Sequence, residues 1–173
     1  MKLQVINPNT SLAMTESIGV AARSVARAGT EIVAVCPTFG PASIESYYDE
    51  YLCVPGILDE IRKGGEDKTD AYIIACYGDP GLSAAREVTT KPVIGIAEAS
   101  LYIASILAAR FSIVTVVPRV QTMLEEMVAW QPPSGGSRPV PIGSRSIGVS
   151  LQPAIPRRVA PQQSPLPLHR HRQ

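Results

Sequence analysis

The residues best suited to chemistry follow an apolar run in segment 72–82, which reads Tyr-Ile-Ile-Ala-Cys-Tyr-Gly-Asp-Pro-Gly-Leu. The apolar run predicts a buried strand. The glycine, acid and proline after it predict a tight turn and a helix start, with Asp79 as the cap and Pro80 at the first helical position. Cys76 would then lie at the carboxyl end of a strand, on the rim where open α/β sheets bind ligands.

A thiol in that place would face a helix N-terminus, whose exposed N–H groups and dipole favour the reactive thiolate. We therefore expect Cys76 to have a pKa below the ~8.5 of a free cysteine. Iodoacetamide should then label it faster than Cys36 or Cys53. The alternative is a small buried core cysteine, which is the usual place of a lone Cys in a fold.

The elements that would position this thiol alternate along the chain between strands and helices. This alternation predicts an α/β fold with a parallel sheet and crossover helices. Pro55 would stand in the first turn of its helix, and the nearly all-apolar helix after Glu98 should be buried on most sides. Strands are predicted at 3–6, 30–35, 72–76, 93–96 and 111–117, and helices at 12–28, 52–61, 82–87, 98–109 and 120–130.

Charge and proline content divide the chain near residue 130. All 15 acidic residues lie at or before Glu126, whereas residues 131–173 contain nine prolines, six arginines and no Asp, Glu, Lys, Phe, Tyr or Trp. Such a tail buries too little apolar surface to offset the entropy of ordering it, so we expect it to be disordered. The predicted organisation is a first α/β lobe at 1–109, the start of a truncated second lobe at 110–130, and the disordered tail at 131–173.

The composition as a whole excludes several classes. A net charge of +1 points to neither nucleic acid nor membrane, and no apolar run approaches the ~20 residues of a membrane span. Three scattered cysteines are too few for a disulfide framework or a zinc site. We expect a cytoplasmic protein without a metal.

Five segments of the first 127 residues form a recognisable set. They are Val-Ile-Asn-Pro-Asn-Thr-Ser at 5–11, Gly-Pro-Ala-Ser-Ile-Glu at 40–45, Ile-Ala-Cys-Tyr-Gly-Asp-Pro-Gly-Leu at 74–82, Val-Ile-Gly-Ile-Ala-Glu-Ala at 93–99 and Phe-Ser-Ile-Val-Thr at 111–115. Together they resemble the Asp/Glu racemase superfamily, and most closely its hydantoin racemase branch, over about residues 2–127. The resemblance implies two α/β lobes with a small-molecule substrate between them, and racemisation without a cofactor by two cysteines, one from each lobe.

Racemising a carbon beside a carbonyl group fits a thiol at this position. The reaction removes a proton from one face and returns one to the opposite face, so it needs a base and an acid on opposite sides. It also needs hydrogen-bond donors for the developing enolate oxygen.

The resemblance assigns roles to individual residues. Cys76 would be one acid/base, Glu98 would orient the site from behind, and the remaining residues would bind the substrate: Asn9, Thr10, Ser43, Gly78 through its N–H, Asp79 and Thr115. Helix capping is an equally good interpretation of Asn9 and Thr10, and Glu98 could serve only as a charge at a helix N-terminus.

The sequence also departs from the family pattern. The second lobe gives way to the tail, and no cysteine follows Cys76. Cys36 also ends a strand, but it belongs to the first lobe and should lie too far to the side, and Cys53 should be structural or exposed. Three functions stay open: a racemase of 5-substituted hydantoins, a one-thiol decarboxylase or isomerase, and an inactive truncated product. Homo-oligomerisation is also left open.

Overall fold

The computed structural model describes residues 1–108, 111–115, 118–130 and 147–151. Strands and helices alternate throughout these ranges, as the sequence predicts. The strands are β1 (Lys2–Ile6), β2 (Glu31–Val35), β3 (Ala71–Ile74), β4 (Val93–Gly95), β5 (Phe111–Thr115) and β6 (Ile147–Leu151), and the helices are α1 (Leu12–Val25), α2 (Tyr47–Glu66), α3 (Leu82–Val88), α4 (Ile96–Leu107) and α5 (Pro118–Trp130).

The first four strands form one parallel sheet in the order β2-β1-β3-β4. A second sheet consists of β5 and β6, which are also parallel. Parallel neighbours need crossover connections, and helices supply them here. The predicted α/β class is therefore confirmed.

The core lies between the first sheet and α2. Its largest fully buried side chains include Ile6, Ile57, Ile61, Tyr72 and Ile74. The Tyr72 hydroxyl donates to the Ile61 carbonyl at 3.0 Å, so its one polar atom is paired inside the core. This packing holds β3, and with it the segment that follows β3, against α2.

Helix α2 begins earlier than predicted. Its cap is Ser46, whose hydroxyl accepts a hydrogen bond from the Asp49 N–H at 3.3 Å and donates to the Asp49 carboxylate at 2.7 Å. Pro55 consequently lies inside the helix, and its predicted place in the first turn is wrong. The early start adds Tyr47, Glu50 and Tyr51 to the helix, at the end nearest the candidate site.

The prediction that α4 is buried on most sides is also wrong. Ala97 and Leu101 are buried, but Ile106 and Leu107 are each 79% exposed. Leu101 packs with Ile113 and Leu124 into a small second core shared with β5 and α5. Composition could not distinguish these faces, because almost every side chain of the helix is apolar.

Five residues of the predicted disordered tail form β6, paired in register with β5 from Phe111↔Ile147 to Thr115↔Leu151. The prediction is wrong for these residues. Apolar residues alternate at 147, 149 and 151, which is the period of a strand. The proline- and arginine-rich composition of the tail as a whole obscured this short pattern. The other residues of 131–173 lie outside the described ranges, and the predicted domain boundaries stay predictions.

Candidate active site

The carboxyl edge of the first sheet collects most of the predicted site residues. Beyond the strand ends, the Asn7 N–H donates to the Val35 carbonyl and the Ala75 N–H donates to the Ile6 carbonyl, both at 2.8 Å. The loop after β1 therefore begins between the end of β2, which Cys36 follows, and the segment after β3. Cys76 lies two residues beyond β3, on the rim where the sequence placed it.

Two linked turns hold the backbone after Cys76. The Asp79 N–H donates to the Cys76 carbonyl and the Leu82 N–H donates to the Asp79 carbonyl, each at 3.1 Å. Asp79 has φ +47°, and Gly81, the cap residue of α3, has φ +67°. A side chain at Gly81 would press on Val54, so only glycine meets both the left-handed backbone and the close packing.

Asp79 caps a different helix from the one predicted. Its carboxylate accepts hydrogen bonds from the backbone N–H groups of Ala97 at 3.0 Å and Glu98 at 2.6 Å, which form the first turn of α4. The cap of α3 is Gly81, and Pro80 precedes that helix. Gly95 permits this contact, because a Cβ atom there would collide with the Asp79 carboxylate. Asp79 therefore ties the Cys76 segment to α4.

The loop after β1 is organised by Asn7, a residue that was not among the predicted site residues. Its side-chain amide donates to Asn9 Oδ1 at 2.8 Å and to Thr15 Oγ1 at 3.0 Å. Asn9 is buried, and its Oδ1 also accepts from the Ser11 N–H at 2.9 Å. The cap of α1 is Ser11, so Asn9 and Thr10 shape the loop without capping the helix themselves.

The other predicted residues occupy varied surroundings. The Thr10 hydroxyl donates to the Pro41 carbonyl at 3.4 Å, and the exposed Ser43 donates to Glu45 at 2.9 Å. Glu98 pairs with Arg86 at 2.6 Å, while Thr115 is the half-buried last residue of β5. The predicted substrate contacts of Thr10, Ser43 and Thr115, and the predicted orienting role of Glu98, stay predictions.

The two other cysteines have separate positions. Cys36 follows β2, and β1 lies between β2 and β3, which separates those strands by two spacings, or about 9–10 Å. Cys53 is fully buried in α2, and its Sγ donates to the Glu50 carbonyl at 3.0 Å. Burial is the main reason that the pKa of Cys53 rises to about 12, so Cys53 is a structural residue.

The expected activation of Cys76 is wrong for this structure. Its pKa is raised to about 11, first by burial and then by the carboxylates of Glu50 and Asp79, while a hydrogen bond from the Gly78 backbone lowers it. The helix that should have favoured a thiolate, α3, has seven residues. Two negative charges and desolvation therefore outweigh one N–H donor, and the thiol form of Cys76 dominates near neutral pH.

A cleft of about 510 Å³ opens beside this segment, between α2, α5 and Gly78. Cys76 is not among the residues that line it, but it lies two positions before Gly78. The Tyr47 hydroxyl donates to Glu126 at 2.5 Å, which joins α2 to α5 at the cleft. The lining residues are Tyr47, Glu50, Tyr51, Gly78, Met123, Glu126 and Met127.

Cys76 should react slowly with iodoacetamide near pH 7.5 and about tenfold faster for each pH unit up to pH 10, because only the thiolate reacts. The groups whose charge acts on it are Glu50 and Asp79. Pulse alkylation read peptide by peptide by mass spectrometry checks this and reports Cys36 in the same sample. A rate at Cys76 that levels off below pH 9 would show a thiolate activated as the sequence suggested.

None of the helices within the described ranges combines the length and apolar character needed to cross a bilayer. Within the same ranges, no group of three His, Cys, Asp or Glu side chains is placed to hold a metal ion.

The fold and the site define an α/β protein whose parallel sheet has thiols at its carboxyl edge, one of which, Cys76, lies beside a cleft. The chain belongs to the Asp/Glu/hydantoin racemase family, whose model matches residues 3–161.

Two hydantoin racemases are similar in sequence and agree with this membership. The chain is 68% identical over 128 residues to a hydantoin racemase of Pseudomonas sp. (strain NS671), covering 74% of this chain and 51% of that protein. It is 48% identical over 129 residues to a hydantoin racemase of Paenarthrobacter aurescens, with coverages of 74% and 55%. The chain thus spans about half the length of the curated relatives it matches.

Solved structures also resemble a large part of the chain. An allantoin racemase from Klebsiella pneumoniae superposes with a TM-score of 0.73 at 54% identity, covering 75% of this chain and 53% of that one. An arylmalonate decarboxylase variant in liganded form gives a TM-score of 0.54 at 14% identity, covering 73% of this chain and 57% of that one, which shows a shared fold alone.

Proposed function

We propose that this chain carries the proton-transfer half-site of a hydantoin racemase, acting on a 5-substituted hydantoin at the carbon beside its carbonyl group. The observation that supports it most is the position of Cys76, at the carboxyl edge of the sheet beside a cleft, in a chain 68% identical to a hydantoin racemase. No cofactor is part of the proposed reaction.

In the proposed step, the thiolate form of Cys76 removes the proton at C5 of the hydantoin. The electron pair of the broken C–H bond moves into the carbonyl group and gives an enolate, and the resulting thiol returns a proton to C5. Asn9, Thr10, Ser43, Gly78, Asp79 and Thr115 are proposed to surround the substrate, and Glu98 to support them. Asp79 would do so by holding the turn, since its oxygens already accept hydrogen bonds from α4.

Racemisation also needs a proton donor on the opposite face of the enolate. This sequence has no cysteine after Cys76, so we propose that water supplies that proton in this chain, and slowly. Proton exchange at C5 should therefore outpace racemisation.

A one-thiol decarboxylase is the second candidate, favoured by the presence of a single thiol, Cys76, next to the cleft. Decarboxylation also ends in protonation of one face of an enolate, which one thiol can perform. The fold similarity to arylmalonate decarboxylase does not add to it at 14% identity.

The proposed setting is the cytoplasm, where cysteines stay reduced, and the proposed partner is the small-molecule substrate. Assembly into a homo-oligomer belongs to the same proposal.

Proton NMR in D₂O tests the function against its alternative. A 5-substituted hydantoin, allantoin and phenylmalonate are each incubated with the chain. We expect deuterium at C5 of the hydantoin above the buffer rate and no release of CO₂ from phenylmalonate. Release of CO₂ without exchange on either ring would favour the decarboxylase, and no reaction on any of the three would show an inactive chain.

A further inference from the structure

Glu50 faces the cleft from the first turns of α2. It is half-buried, and a Cβ atom at Gly78 would lie 3.9 Å from Glu50 Oε1. Its charge acts on Cys76, so the carboxylate and the thiol belong to one local environment. Residues 52–61 alone were predicted to be helical here, and Glu50 was not a candidate.

The charge of Glu50 is not balanced across the cleft. Among the residues that line the cleft, the two charged ones are Glu50 and Glu126, and both are acidic. No salt bridge to Glu50 is formed within the described ranges, and the nearby basic residue Arg119 acts on Asp49, which does not line the cleft. The remaining lining side chains are two tyrosines and two methionines. The cleft therefore offers a largely apolar surface with negative charge next to Gly78.

We propose that Glu50 is a specificity-determining residue: its carboxylate admits uncharged, N–H-bearing rings to the space beside Cys76 and excludes molecules that carry a carboxylate next to the reacting carbon. The claim that Glu50 admits N–H-bearing rings rests on the proposed function. A hydantoin ring carries N–H groups that donate to a carboxylate, whereas the ring-opened carbamoyl amino acid carries a carboxylate that Glu50 repels. The same chemistry excludes free amino acids, whose carboxylate has no cationic partner on the cleft wall.

The charge effect can be measured on Cys76 without any enzymatic turnover. Iodoacetamide and iodoacetate alkylate a thiolate in the same way but differ by one negative charge. We take the ratio of the iodoacetamide rate to the iodoacetate rate at Cys76. Both rates are proportional to the fraction of thiolate, so this fraction cancels and a change in the pKa of Cys76 does not alter the ratio. In Glu50→Gln this ratio should fall about tenfold, because a unit charge a few Å away no longer repels iodoacetate.

Two references accompany the measurement. The ratio at Cys36, read in the same digest, should not change, and Glu87→Gln, an exposed residue of α3, should leave the ratio at Cys76 as it is. Glu50→Lys, which reverses the charge, should lower the ratio further than Glu50→Gln. An equal ratio in the unmodified chain and both Glu50 variants would overturn the inference.

A second arm uses ligands. A 5-substituted hydantoin should protect Cys76 from iodoacetamide in the unmodified chain, while its ring-opened carbamoyl acid should protect only Glu50→Gln. Equal protection by the acid in the unmodified chain would also overturn the inference. If the proposed function alone is wrong, the hydantoin protects no variant but the alkylation ratio still depends on Glu50. The two failures are therefore distinguishable.

Discussion

The Cys76→Ala variant should exchange the C5 proton of a 5-substituted hydantoin about 10²- to 10⁴-fold more slowly than the unmodified chain, which is the usual effect of removing a positioned acid or base. Of the thiols at the carboxyl edge of the first sheet, Cys76 is the one that lies beside the cleft, so no neighbour should replace it. Cys53 has a pKa raised to about 12 by burial, and Cys36 lies two strand spacings away. The measurement is deuterium incorporation followed by proton NMR in D₂O.

Cys36→Ala is the matched control for this variant. It removes a half-buried thiol from the same edge of the sheet and should leave the exchange rate unchanged. If exchange persisted in Cys76→Ala but was lost in Cys36→Ala, the proton transfer would be assigned to Cys36 at the end of β2.

The Asp79→Ala variant should have a free energy of unfolding lower by up to about 2 kcal/mol, and it should also exchange the C5 proton more slowly. The substitution leaves the Ala97 and Glu98 N–H groups without their acceptor at the start of α4, and a lost helix cap of this kind costs about 0.5–2 kcal/mol. Because the same carboxylate ties the Cys76 turn to α4, its loss frees the thiol to leave its position. Urea unfolding and deuterium exchange measure the two effects separately.

Asp79→Asn keeps one acceptor oxygen and should lose less stability than Asp79→Ala. Asp67→Ala removes an exposed carboxylate at the far end of α2 and should change stability by less than about 0.5 kcal/mol. If Asp79→Ala exchanged as fast as the unmodified chain, the turn would not depend on this anchor.

The strands and the edge that carries Cys76 were predictable because they depend on local pattern. Apolar runs ending in turn residues define β1 and β3, and strands that alternate with helices produce a parallel sheet whose carboxyl ends share one edge. The start of α2 at Tyr47 could also have been predicted from the sequence, because Ser46 followed three residues later by Asp49 resembles a capping box.

The partner of Asp79 and the pKa of Cys76 were not predictable, because both depend on residues distant in sequence. Asp79 reaches α4, 18 and 19 positions further along the chain, and its only sequence signal is the absence of a side chain at Gly95. The pKa of Cys76 is raised first by burial and then by Glu50, which α2 brings to the end of β3. A capping rule uses neighbours in sequence, so it assigns Asp79 to α3, the helix that follows it. Only the fold shows that the Asp79 carboxylate instead caps α4.

The most direct test of one-sided proton transfer by Cys76 follows deuterium uptake and optical rotation in the same tube, starting from a single enantiomer of a 5-substituted hydantoin in D₂O. Both enantiomers are measured separately, with Cys76→Ala as the reference. We predict that one enantiomer gains deuterium at C5 while its optical rotation decays far more slowly, because the thiol that removes the proton also returns the deuteron to the same face. Loss of optical rotation at the rate of deuterium uptake, in both enantiomers, would contradict this and would show that a second acid completes the site.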